Sequence, residues 1–111
     1  LDFAQLGEFH LRDGVWNGQR LVPEGWVEMV GAPHAAFQEP TDDSSGYGMQ
    51  FWVPHGYNGE FYGAGAFGQY LWIDMRRKVV IAQFAAQMPE DVEDRERDAA
   101  LRALARAVSE P

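Results

Sequence analysis

The alternation of apolar and polar positions divides the chain into a helix, a small hairpin, a strand meander and a closing helix. Over residues 1–12, Leu1, Ala4, Leu6, Phe9 and Leu11 form an apolar stripe, and Asp2 suits an early turn. Asp13-Gly14 stops this helix, with Gly14 free to take a left-handed cap. Gly7 inside it costs about 1 kcal/mol relative to Ala, which predicts a neighbour packed closely there. Residues 15–22 read as a hairpin, because Asn17-Gly18 fits the positive dihedrals of a type I′ turn. Pro23 then opens a short helix over residues 23–30, with Trp26, Met29 and Val30 as its apolar side.

Residues 31–46 carry no periodicity and are rich in turn formers (Pro33, Pro40, Asp42, Asp43, Ser44, Ser45, Gly46). A loop of that length is either functional or mobile. Four strands follow, over residues 47–53, 60–65, 69–74 and 78–85, with a tight turn at 74–77. The connections are too short for crossovers, so the strands pair antiparallel. Val79, Val80, Ile81 and Phe84 are almost continuously apolar, as in a strand covered on both faces. Residues 89–109 form the last helix. Leu101, Leu104, Ala105 and Val108 share one face, acids crowd the first turns, and Arg102 and Arg106 come late. The expected fold class is α+β, an antiparallel meander flanked by N- and C-terminal helices.

Composition narrows the possible chemistry. At 111 residues, 46% of them hydrophobic and 14% aromatic, the chain can bury a core. A formal net charge of −8 argues against nucleic acid or an anionic membrane surface as partner. No apolar run approaches the ~20 residues of a membrane-spanning helix. With no cysteine, disulfides, thiolate catalysis and zinc–thiolate sites are excluded. The acids at 90–98 read as a solvated helix start. His10 reads as structural. His34, His55, Asp42 and Asp43 lack metal-ligand spacing, so no metal and no other cofactor is expected. Ser44 and Ser45 precede Gly46 outside any strand–turn–helix elbow, which argues against a catalytic serine there.

The richest segment is Phe61-Tyr62-Gly63-Ala64-Gly65-Ala66-Phe67-Gly68-Gln69. Its glycines superficially match a dinucleotide fingerprint, but a strand follows where that motif requires a helix. Two readings remain. The glycines relieve crowding in a tight hairpin, or they leave a strand edge open so that backbone N–H groups can reach a developing oxyanion.

Four phrases, in this order, resemble the C-terminal part of the beta-lactamase and penicillin-binding-protein superfamily of serine hydrolases. They are Asp2-Phe3-Ala4-Gln5-Leu6-Gly7, then the run from Gly14 to Trp26, then Gly46-Tyr47-Gly48-Met49-Gln50-Phe51-Trp52, and the glycine strand itself. The nearest branch is the class C-like group of esterases and 6-aminohexanoate-dimer hydrolases. The resemblance implies that residues 1–111 are the C-terminal part of such a domain. It also implies that the last helix packs on one face of the sheet beside the first. Gly63-Ala64-Gly65 falls where the family has Lys/His-Thr/Ser-Gly. Only the final glycine is kept, which disfavours beta-lactam recognition and favours a neutral ester or amide as the small-molecule substrate. By the same resemblance Ala66 donates a backbone N–H to the oxyanion beside Gly65. Gly63, Ala64, Tyr62, Phe67 and Gln69 line the substrate side.

The family's nucleophile sits in Ser-x-x-Lys. No serine here is followed three residues later by lysine, and the one lysine is Lys78, in a strand turn. The chain is therefore not catalytic by itself under this reading. Two rivals stay open. One is a non-catalytic interaction module presenting Trp16, Trp26 and Trp52; the other is an inactive hydrolase relative. An exposed sheet edge would further favour self-association.

Overall fold

The structure is a computed structural model that describes residues 2–33, 39–41, 45–65, 69–84 and 94–109. Helix α1 spans Asp2–Leu11 and ends as its sequence requires. Gly14 N–H donates to Phe9 O and Asp13 N–H to His10 O, both at 3.0 Å, which closes a Schellman motif. The left-handed position next to the helix is taken by Asp13 (φ 54°), one residue before the expected Gly14, which follows it and is also left-handed (φ 78°). Strands β1 (Val15–Trp16) and β2 (Gln19–Arg20) form the expected hairpin, with Asn17 and Gly18 both at positive φ.

Helix α2 runs only over Trp26–Val30. Gly25, at φ 85°, breaks the backbone before it, so Pro23 starts a turn that accepts Trp26 N–H rather than the helix itself. The short helix buries Val27 and Val30, while Trp26 and Met29 are exposed, in contrast to the expected apolar side.

The expected strand over 47–53 is two short ones, β3 (Gly46–Tyr47) and β4 (Trp52–Val53), folded into a hairpin. Gly48 makes this reversal possible. Its N–H donates to Phe51 O at 2.8 Å, and its Cα lies so near the Val30 and Ala32 carbonyls that a Cβ would collide with backbone. Gln50 completes the turn at φ 75°. Strands β5 (Glu60–Gly65), β6 (Gln69–Asp74) and β7 (Val79–Gln83) complete a fully antiparallel sheet in the order β3-β4-β5-β6-β7. Helix α3 spans Asp94–Ser109; the expected start near residue 89 lies outside the described residues.

The register sorts side chains onto two faces. Phe61, Leu71 and Ile73 pack with Val27 on one face, where Phe3 and Leu11 of α1 join them together with Val80 and Ala82. Tyr62 and Trp72 pack with Leu101 of α3 on the other, with Tyr70 and Ile81. The two long helices therefore cover opposite faces rather than lying side by side. Both faces of the central strands are apolar enough to need a cover, and one helix cannot supply both. This also accounts for β7, which is apolar from Val79 to Ala82 and half-buried throughout. Gly7 sits where α1 crosses the sheet. A Cβ there would come within 2.5 Å of Val80 Cγ1 and 3.3 Å of Leu71 Cδ1, which explains glycine inside a helix.

Candidate active-site strand

The end of β5 is built from small residues. Gly63 is half-buried, and Ala64, Gly65 and Gln69 are exposed; Ala66 and Phe67 lie outside the described residues. Across the ladder, Gly63 faces Leu71, Ala64 faces Tyr70 and Gly65 faces Gln69. On its other side β5 is paired by β4 only at Trp52 and Tyr62. Among the described residues, 63–65 thus have a ladder partner on one side only.

Neither glycine here is demanded by its surroundings. Neither Gly63 nor Gly65 has a positive φ. A Cβ on Gly63 would meet only Phe51 Cε1, at 4.0 Å, and one on Gly65 would rest against Gln69 at ordinary contact distances of 3.5 and 3.7 Å. Crowding by the described residues therefore does not explain the glycines. Glycine in a strand is also found where a ligand or another backbone approaches closely.

Behind this edge lies a charged and aromatic layer. Tyr62 is 2% exposed, stacks on Trp72 (centroids 5.7 Å, 14° between planes) and shares a 2.5 Å hydrogen bond with Ser45. Arg97 of α3 lies over the rings of Tyr62 and Tyr70, at 4.7 and 4.3 Å from their centroids. Its Nη1 donates to Tyr70 Oη at 2.9 Å, and Nε and Nη2 donate to Asp98 Oδ1 at 3.2 and 2.9 Å. Burial works against the Arg97 charge. Tyr62 and Asp98, with the hydrogen bonds to Asp98 and Tyr70, outweigh it and hold its pKa above the usual guanidinium value. A base with a raised folded pKa contributes fully below its unfolded value, so this contribution fades only in strong alkali. At the opposite end of β5, buried Glu60 accepts from Arg102 Nε at 2.6 Å and from Asn58 N–H at 2.7 Å, and Arg102 also donates to His55 O at 2.6 Å.

The remaining candidates separate cleanly. His10 is buried, its Nδ1 bonded to Leu6 O at 2.8 Å inside α1 and its ring edge-on to Phe51, which is a structural role. His34, Asp42, Asp43 and Ser44 lie outside the described residues. Among those described, no group of His, Asp and Glu could hold a metal ion. No helix of the described residues is long and apolar enough to cross a membrane. A cleft of about 610 Å³, lined among others by Leu11, Glu28, Tyr57, Met75 and Lys78, opens at the Gly59 end of β5. It opens away from the glycine edge, and among its described lining residues the one hydroxyl is that of Tyr57. Sequence reasoning missed Arg97. Its only signal was an arginine among the acids of an early helical turn.

Comparison with protein-family models finds no match. The chain is 34% identical over 91 residues to the 6-aminohexanoate-dimer hydrolase of Paenarthrobacter ureafaciens, a match covering 77% of this chain and 23% of that protein. A solved structure from Bacillus anthracis, provisionally named a 6-aminohexanoate-dimer hydrolase, superposes with a TM-score of 0.71 at 26% identity over 97% of this chain and 27% of that one. The chain spans about a quarter of the length of each. By sequence and by fold, it belongs with the beta-lactamase-like serine hydrolases, in the branch of the 6-aminohexanoate-dimer hydrolases.

Proposed function

We propose that this chain supplies the oxyanion-side strand of a hydrolase that cleaves a small amide or ester through an acyl-enzyme. The nucleophilic serine and its lysine belong to sequence beyond residues 1–111, so the chain is the C-terminal part of the catalytic domain and is not catalytic alone. The serine oxygen adds to the substrate carbonyl, and Ala66 N–H donates to the oxyanion that forms. The amine or alcohol then leaves with a proton, and water releases the acid and restores the serine. A backbone donor does not depend on side-chain identity, so this role survives the departures at Gly63 and Ala64. Those departures remove the cation and hydroxyl that would hold a substrate carboxylate, which favours a neutral group beside the scissile bond. The relatives are named for the dimer of 6-aminohexanoate, and a linear amide of that kind suits a bare strand edge.

The observation that supports this reading is the side of 63–65 that has no ladder partner among the described residues, where glycine is required neither by conformation nor by crowding from those residues. Its test is intact-mass analysis after treatment with a fluorophosphonate, on this chain and on the full-length product of its gene. Labelling of an upstream serine in the full-length protein alone is the expected result. Labelling of neither supports the second reading, an inactive relative that keeps the fold for binding. That reading draws on Gly63 and Ala64 standing where the family has a cation and a hydroxyl. The outer edge of β7 carries no charge and no proline over Val79–Gln83, and we expect the isolated chain to self-associate through it. Sedimentation velocity across a concentration series reads this directly.

A further inference from the structure

We propose that Arg97 is a positioning residue for the glycine edge, locking the two tyrosines that flank it on β5 and β6 to helix α3; this rests on the hydrolase reading above. Residues 63–65 carry nothing larger than a methyl group, so their own side chains cannot anchor them. Their placement must come from neighbours. Tyr62 immediately precedes the stretch, and Tyr70 faces Ala64 across the ladder on the same face of the sheet. Arg97 covers both rings, donates to the Tyr70 hydroxyl and is held from behind by Asp98. The Tyr62 hydroxyl extends the connection to Ser45, at the entrance to β3. One buried cation thus ties α3, β5, β6 and the segment before β3 into a single unit behind the candidate edge.

Only a planar guanidinium can stack on two rings while donating from its edge to a hydroxyl and a carboxylate. Lysine keeps the charge but loses this geometry. The second ion pair on this face, Arg102 with Glu60, grips the other end of β5. Arg97 should accordingly govern turnover, and residues farther along α3 should govern only stability.

The test uses the full-length hydrolase and an activated p-nitrophenyl ester. Arg97→Met is expected to lower kcat at least tenfold with KM within threefold, because the edge it positions acts on the transition state rather than on bound substrate. Arg97→Lys should recover less than half of that loss on a logarithmic scale. Ala105→Gly, a buried position on the same helix, should lower the melting temperature and leave kcat within twofold. In the full-length protein, amide exchange at Gly63, Ala64, Gly65, Gln69 and Tyr70 should accelerate at least tenfold in Arg97→Met, and no more than at other strand amides in Ala105→Gly. An active wild type whose Arg97→Met variant keeps kcat within twofold overturns the proposal, as does an equal loss in Ala105→Gly. A wild type that neither reacts with fluorophosphonate nor turns over ester overturns the hydrolase reading. In that case unchanged exchange at 63–70 in Arg97→Met separately overturns the lock.

Discussion

The two faces of the same three strands are held by different physics. Toward α1 and α2, alternate residues of β5, β6 and β7 present Phe61, Leu71, Ile73, Val80 and Ala82, and the packing is apolar apart from the buried His10 ring, whose Nδ1 is bonded within its own helix. Toward α3, the intervening residues present Glu60, Tyr62, Tyr70, Trp72 and Asp74, and the helix answers with Arg97, Asp98, Leu101 and Arg102. The first face asks only for volume and hydrophobicity, which many sequences satisfy. The second needs specific partners, because a buried charge that loses its partner is far costlier than a methyl group that loses contacts. The candidate edge lies at the end of the strands backed by that second face.

The sharpest way to break this comparison is to remove one partner from the charged face. Arg102→Met leaves Glu60, which is 2% exposed, without its cation and should destabilise the chain by about 3–5 kcal/mol, seen as a lower urea midpoint at constant slope. The double change Glu60→Leu with Arg102→Met should restore most of that loss, since replacing both members of a buried pair is often neutral. If the double variant is as unstable as the single one, the pair is not the cause. On the apolar face, Leu71→Ala should cost about 2–5 kcal/mol by the same measurement, with the range set by how far the site collapses. Gly7→Ala gains helix propensity but drives a methyl group into Val80, and should lose about 1 kcal/mol net by thermal melting. The smallest effect belongs to Glu8→Ala. That residue pairs with Arg12 on the exposed side of α1, and its loss should change stability by less than about 0.5 kcal/mol, vanishing in high salt.

Local chemistry was legible wherever it alone decides the structure. The type I′ hairpin at Asn17 and Gly18, the stop after α1 and the pairing of β5 with β6 all follow from turn residues and period-two alternation. Gly7 announced a close neighbour, and Val80 is that neighbour. The departures occur where tertiary contacts override local pattern. The apolar stripe expected on α3 held Leu101, Leu104, Ala105 and Val108, yet Leu104 and Val108 are exposed while Arg97 and Asp98 are buried. The helix is rotated toward its charged side because Tyr62 and Tyr70 offer two ring faces and a hydroxyl to a cation. Hydropathy treats Arg97 as a surface residue and cannot register that match. The division of 47–53 into β3 and β4 depends on how closely Gly48 passes the Val30 and Ala32 carbonyls, a contact set by a segment far away in sequence. Likewise, nothing in local periodicity says which face a helix takes, so α1 and α3 on opposite faces became apparent only from the register. The glycine edge was visible as a motif, but the absence of crowding around it required the fold.

The most direct test of the central claim substitutes the glycines themselves. Gly63→Ala with Gly65→Ala places two methyl groups where the described residues leave room and the backbone is ordinary. Restricting the unfolded chain should leave stability equal or raise it by about 0.4–1 kcal/mol per glycine, seen as an equal or higher melting temperature. The measurement is kcat/KM of this double variant in the full-length product of its gene, with an activated ester, beside its melting curve. A fold at least as stable as wild type with activity reduced at least tenfold is the predicted result. Equal stability with activity within twofold of wild type would contradict the account, and the glycines would then serve neither substrate nor oxyanion.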